Sequence, residues 1–210
     1  FNLLTRFDEQ TRENDWDGSV RGGITLALGA LGEHLGMPRC DRLAKELLAR
    51  FDYPQTRESD WYGRVRGGIT QALGALGPHL GGEGRERLVT ALLTRFDAQT
   101  RESDEDGYVR REIAKALGAL GPLLGVQGCE ELARKLLARV DAQTPQSDRD
   151  GGTRCGIVLA LGALVSHLGV EGGERLVTGL LVRFDTQTRE SDENGSVRWG
   201  IVLALGALGP

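Results

Sequence analysis

The sequence predicts an all-α protein, an α-solenoid of about five stacked helical hairpins. Three observations predict it: a period of 44 or 45 residues, two stretches of helical hydrophobic spacing in every period, and no segment alternating as a strand would.

The period is set by Phe7, Phe51, Phe96, Val140 and Phe184, each followed by Asp. A polar segment then repeats nearly letter for letter, from QTRENDWDGSVRGG in the first copy to QTRESDENGSVRWG in the last. Boundaries fall near residues 37, 82, 126 and 170, with the first and last copies incomplete and one domain expected over 1–210. The first helix of a copy is marked by Leu43, Leu47, Leu48 and Phe51, and again by Leu88, Leu92, Leu93 and Phe96 and by Leu132, Leu136, Leu137 and Val140. Spacings of four, five and eight put these on one helical stripe. The second helix runs through Val20, Ile24, Ala27, Leu28, Leu31 and Leu35, and recurs from Val65, Val109, Thr153 and Val197 with one apolar face. A hairpin with such a face cannot bury it alone, so neighbouring copies must stack. Each second helix also carries a glycine, at Gly29, Gly74, Gly118, Gly162 and Gly206. Mid-helix glycine costs about 1 kcal/mol relative to alanine, so its recurrence predicts a close helix approach there.

Composition narrows the function classes. Lys and Arg total 26 against 30 Asp and Glu, a net charge of −4, so there is no cationic excess to neutralise a phosphate backbone. Cys40, Cys129 and Cys155 form no CxxC pair and no even set, which predicts thiols outside any disulfide and a reducing, cytoplasmic compartment. The longest strongly apolar stretch, Gly156 to Leu164, falls far short of the roughly 20 residues that span a bilayer, and no secretory signal pattern follows Phe1.

The string Asp-x-x-Gly-x-Val-Arg, followed by Ile and then Ala-Leu-Gly-Ala-Leu-Gly, resembles the HEAT repeat, in particular the phycobilisome-lyase-like and bacterial HEAT repeats, over nearly the whole chain. Asp15, Asp60, Asp104, Asp148 and Asp192 stand five residues before the Val position, and Arg21, Arg66, Arg110, Arg154 and Arg198 stand directly after it. The resemblance implies a HEAT/armadillo-like superhelix in which these pairs form a structural ladder of hydrogen bonds between successive copies. Thr153 replaces Val in the fourth copy, and Pro145 replaces the loop Arg found at Arg12, Arg57, Arg101 and Arg189, so that copy is expected to be locally irregular.

Chemistry-bearing residues are sparse. His34, His79 and His167 hold equivalent places, but equivalents in stacked helices lie roughly 8–10 Å apart, too far for one metal ion at about 2.1 Å from each. They are read as solvent-facing or interfacial, and no metal or cofactor is expected. Glu13, Glu58, Glu102 and Glu190 each follow a loop Arg, which reads as local charge pairing, and no nucleophile elbow or phosphate loop is present. The chain is therefore not expected to be an enzyme.

The resemblance assigns the inner surface to the second helices, where the copies differ most. After the ladder Arg stand Gly22, Gly67, Arg111, Cys155 and Trp199, and four residues later Leu26, Gln71, Lys115, Leu159 and Leu203. Residues four apart share a helix face, so the two rows form one stripe expected to bind a partner. Trp16 and Trp61, each next to a ladder Asp, are further candidates, as anchors or as covers of their own hairpins. A protein-interaction scaffold is the leading expectation. The alternatives are a phycobilin lyase-like chromophore-attachment subunit, permitted by the resemblance, and a HEAT-like nucleic-acid binder. Without polar capping repeats, the chain is expected to be a piece of a longer array or to stack end to end on other copies.

Overall fold

The computed structural model describes residues 2–10, 14–15, 18–54, 56, 60, 63–99, 104, 107–143, 151–186, 192 and 195–206. The described residues are helical with turns and contain no strand. They fall into two compact units, Phe1–Gln99 and Thr100–Pro210.

The first unit holds α1 (Asn2–Asp8), α2 (Ser19–Ala30), α3 (Gly32–Leu35), α4 (Met37–Asp52), α5 (Arg64–Leu76) and α6 (Gly82–Asp97). Here α2 lies along α5, α1 rests on α2, and α4 packs against α5 and α6. The second unit holds α7 (Tyr108–Leu120), α8 (Gly125–Ala142), α9 (Gly152–Val165), α10 (Val170–Thr186) and α11 (Ser196–Gly206). In it α9 lies between α7 and α11, with α8 and α10 against α9.

The apolar stripes become the cores. Leu43, Leu47 and Phe51 of α4 are fully buried, as are Ile69, Leu73 and Leu76 of α5. In the second unit Val109, Ile113 and Leu117 of α7 meet the same fate as Ile157 and Leu161 of α9. The stripe of α2 departs from expectation: Leu28 is buried, but Val20 is 46% exposed, Ala27 is exposed, and Ile24, Leu31 and Leu35 are half-buried. Periodicity marks a face able to pack, whereas burial requires a neighbour: Val65 and Ala72 of α5, the equivalents of Val20 and Ala27, lie against Gly18 and Gly29 of the second helix before them.

Every second helix starts in one way. The residue before it is a glycine in the left-handed region, with φ of 71° at Gly18, 65° at Gly63, 62° at Gly107, 68° at Gly151 and 66° at Gly195. A side chain there would be strained, which explains the glycine of the Asp-x-x-Gly string. The fourth copy was expected to be irregular, yet α9 leaves Gly151 in the shared geometry with Thr153 fully buried; Pro145 lies outside the described residues. At the other end α5 and α7 tighten into 3-10 turns, Gly77–His79 and Gly121–Leu123, each carrying a proline that removes one helical N–H.

Candidate functional site

A carboxylate sits at the foot of four of the second helices, α2, α5, α7 and α11. Asp60 Oδ1 accepts from the Val65 amide at 2.9 Å, and Oδ2 accepts from the Arg66 amide at 3.0 Å and from Arg66 Nε at 2.9 Å. Asp15, Asp104 and Asp192 repeat the arrangement with Arg21, Arg110 and Arg198. The carboxylate satisfies two of the amides that a helix start leaves without a partner, and a negative charge is favoured there. Asp148, expected to serve Arg154, lies outside the described residues.

The ladder expected from these pairs is corrected in one respect: Asp and Arg belong to the same copy. The bond between copies starts at the far end of the guanidinium. Arg66 Nη1 donates to Gln99 Oε1 at 2.7 Å in the first unit, and Arg110 Nη1 donates to Gln143 Oε1 at 2.9 Å in the second. Each of these Arg side chains therefore joins the start of its own helix to the next copy's loop. The helix start fixes one end of the Arg, so it is buried and held.

A second inter-copy ladder, absent from the sequence reading, runs along the first helices. Arg50 binds Asp8 with Nε at 2.8 Å and Nη2 at 2.6 Å. Arg95 pairs with Asp52, and Arg183 Nε binds Asp141 at 2.8 Å. The Arg-x-Asp triplet bounding each period residue carried the signal: Arg6 to Asp8, Arg50 to Asp52, Arg95 to Asp97, Arg139 to Asp141 and Arg183 to Asp185.

The expected partner stripe separates into two rows with different surroundings. In the first row, Gly22 lies against Gly68 of α5, Arg111 packs its stem on Gly156 of α9, and Cys155 packs on Gly200 of α11. Gly67 is buried. Gly22, Arg111 and Cys155 thus stand at seams between second helices, and the glycines opposite them leave room for the preceding helix. Trp199, equivalent to Cys155, is 59% exposed. The second row faces outward: Leu26 is 50% exposed, Gln71 and Lys115 are exposed, Leu159 is half-buried, and Leu203 is 41% exposed. Two of the charged candidates are engaged in the fold, since Lys115 Nζ donates to the buried Glu112 at 2.7 Å and the Arg111 guanidinium lies 5.1 Å from the Tyr108 ring centre. Trp16 and Trp61 lie outside the described residues, as do Arg12, Arg57, Arg101 and Arg189.

Three of the recurring second-helix glycines, Gly29, Gly118 and Gly162, meet the close approach expected of them. A Cβ on Gly29 would stand 2.8 Å from Ala72 Cα, one on Gly118 would stand 2.9 Å from Ala160 Cα, and one on Gly162 would stand 2.8 Å from Ala204 Cα. At Gly206 no described residue lies within 4 Å of a Cβ.

Of the remaining candidates, His34 is exposed beside Glu33, His167 is exposed, and the His79 ring lies on Gly32. Among the described residues, no three His, Cys, Asp or Glu side chains come together as a metal site would need, and no helix is long and apolar enough to cross a membrane. An open groove of about 570 Å³ lies between α8 and α10, lined by Glu130, Arg134, Leu137, Leu168 and Arg175. Cys40 Sγ donates to the Gly32 carbonyl at 3.3 Å and Cys129 Sγ to the Gly121 carbonyl at 2.8 Å. Burial pushes both thiols above their usual range, with Asp41 adding to the effect at Cys40. No family model, curated protein or solved structure matches the chain.

Proposed function

We propose that the copies form a HEAT/armadillo-like α-solenoid that acts as a protein-interaction scaffold, binding its partner along the outward row of the second helices. The observation that carries the reading is the contrast between the two rows. Seam positions are taken up by helix packing, while Leu26 and Leu203 hold large apolar side chains about half in water on helices whose cores are already filled. Gln71, Lys115 and Leu159 occupy the equivalent places, so copies alike in their cores differ in what they offer outside. Such a row supplies apolar anchors with polar neighbours, the composition of a protein-binding surface. The reading includes no catalytic step and no cofactor. It places the protein in the cytoplasm, where the buried thiols of Cys40 and Cys129 would stay reduced.

The test is a pull-down from source lysate comparing wild type with the Leu26→Asp, Gln71→Ala, Leu203→Asp variant, all at exposed positions. The expected result is a protein retained by wild type and lost by a variant whose thermal melt is unchanged. Equal retention of the same proteins by both chains overturns the outward row as the binding face.

A further inference from the structure

The groove between α8 and α10 has an apolar base and a charged edge, and both of its walls belong to the second unit. Ala133 and Leu176 are buried beneath it, and Leu137 and Leu168 stand half-buried along it. On its near side α10 presents glycine to α8: a Cβ on Gly172 would stand 2.6 Å from Glu130 Oε1, and one on Gly179 would stand 3.9 Å from Leu137 Cδ1. Positions 172 and 179 are two helical turns apart and share a face, so α10 supplies little side chain there to close the space.

The charges at the edge are unequally satisfied. Glu130 of α8 pairs with Arg175 of α10 at 3.5 Å, and Arg175 also lies 3.6 Å from Glu171 of its own helix. Glu131 lies 2.6 Å from Lys135 Nζ. The hydrogen bond and charge of Lys135, with the charge of Arg134 added, hold the Glu131 carboxyl below the usual carboxylate range. Arg134 itself is exposed and makes no hydrogen bond or ion pair among the described residues. Around it two cations, Arg134 and Lys135, thus face one acid, whereas around Arg175 two acids share one cation.

The groove holds about 570 Å³, within the roughly 300–1,000 Å³ of small-molecule sites. A partner helix, about 10–12 Å across, would fill that volume in about one turn, too little to seat on. The spare charge is a guanidinium, whose planar fork donates two parallel N–H groups to a carboxylate. A second carboxylate at the other end would meet Glu130 and Glu171, which already share Arg175.

We propose that this groove binds a small monocarboxylate with an apolar body, the carboxylate held by Arg134 and the apolar part lying on Leu137, Leu168 and Leu176. The walls are first helices, so the site is separate from the outward row of the second helices and stands or falls independently of it.

The test is titration calorimetry with octanoate as the probe and 1-octanol as its uncharged counterpart. Wild type is expected to bind one octanoate per chain, and 1-octanol at least about tenfold more weakly. Arg134→Gln, at an exposed position, should melt as wild type does and raise the octanoate Kd at least about tenfold. Lys45→Gln changes the equivalent exposed cation of α4 and should leave binding as it was. In methyl NMR spectra, octanoate should shift the signals of Leu137 and Leu168. No saturable binding up to about 10 mM octanoate, equal binding of 1-octanol, equal losses in the Arg134 and Lys45 variants, or unmoved Leu137 and Leu168 signals would each overturn the proposal.

Discussion

At the scale of single residues, two kinds of Arg–Asp pair share this protein and differ in worth. Asp60 and Arg66 have side chains 1% and 3% exposed, and Asp60 also caps α5. Removing one member of such a pair leaves the other buried without its counter-charge, which costs about 3–5 kcal/mol. Arg50 and Asp8 are 11% and 44% exposed, and a pair so open to water is worth about 0–1 kcal/mol. Asp60→Ala should therefore cost several times as much stability as Asp8→Ala. Urea titration of the two variants checks this, and equal losses would show that the surface ladder, rather than the capped pairs, holds successive copies. The capped pairs were legible because Asp, Gly and Arg recur at fixed offsets in every copy. Their division of labour was not, since a string in register does not say whether a side chain reaches its own copy or the next. The Arg-x-Asp ladder escaped for a related reason: its partners are 42 or 43 residues apart and look like ordinary helix-surface charges until the helices are placed side by side.

At the scale of elements, the second helices are set by glycine more than by any large side chain. At Gly118 a methyl group would stand 2.9 Å from the Ala160 backbone, so Gly118→Ala must push α7 and α9 apart. The expected loss is about 1–3 kcal/mol, the usual cost of overpacking. Gly173 in α10 has nothing within 4 Å, so Gly173→Ala should instead gain about 0.5–1 kcal/mol from helix propensity alone. Calorimetric melts should shift in opposite directions, and a shared direction would mean that propensity, not contact, sets the role of these glycines. The sequence predicted the close approach from recurrence and the helices from period. It could not show which of two neighbouring exposed-looking rows was a seam, because positions 111 and 115 share a face and only the angle of the adjacent helix separates them. Nor could it show that the stripe of α2 stands partly open at Val20 and Ala27, since hydrophobic spacing records a capacity for burial and not the neighbour that achieves it.

At the scale of the whole molecule, a feature repeated in both units bears on the stability of each. The buried thiols are such a feature. Cys40 and Cys129 each stand eight residues after the glycine carbonyl that accepts from Sγ, one in each unit. Burial raises both above the ordinary thiol value of about 8.5. The unfolded chain therefore ionises first and binds fewer protons than the folded one as pH climbs, so stability falls with rising pH. The contribution is fully present below about pH 8 and is lost progressively above the ordinary thiol value, until the folded thiols also ionise. A Cys40→Ala, Cys129→Ala chain should start from a lower baseline, because two buried sulfurs are missing, and should then lose less stability than wild type between pH 7 and pH 10. Lys and Tyr titration is common to both chains and drops out of the difference. Urea midpoints across that range decide the matter: parallel curves would mean that the two thiols ionise alike in the folded and unfolded chain, and that their burial acts through packing alone.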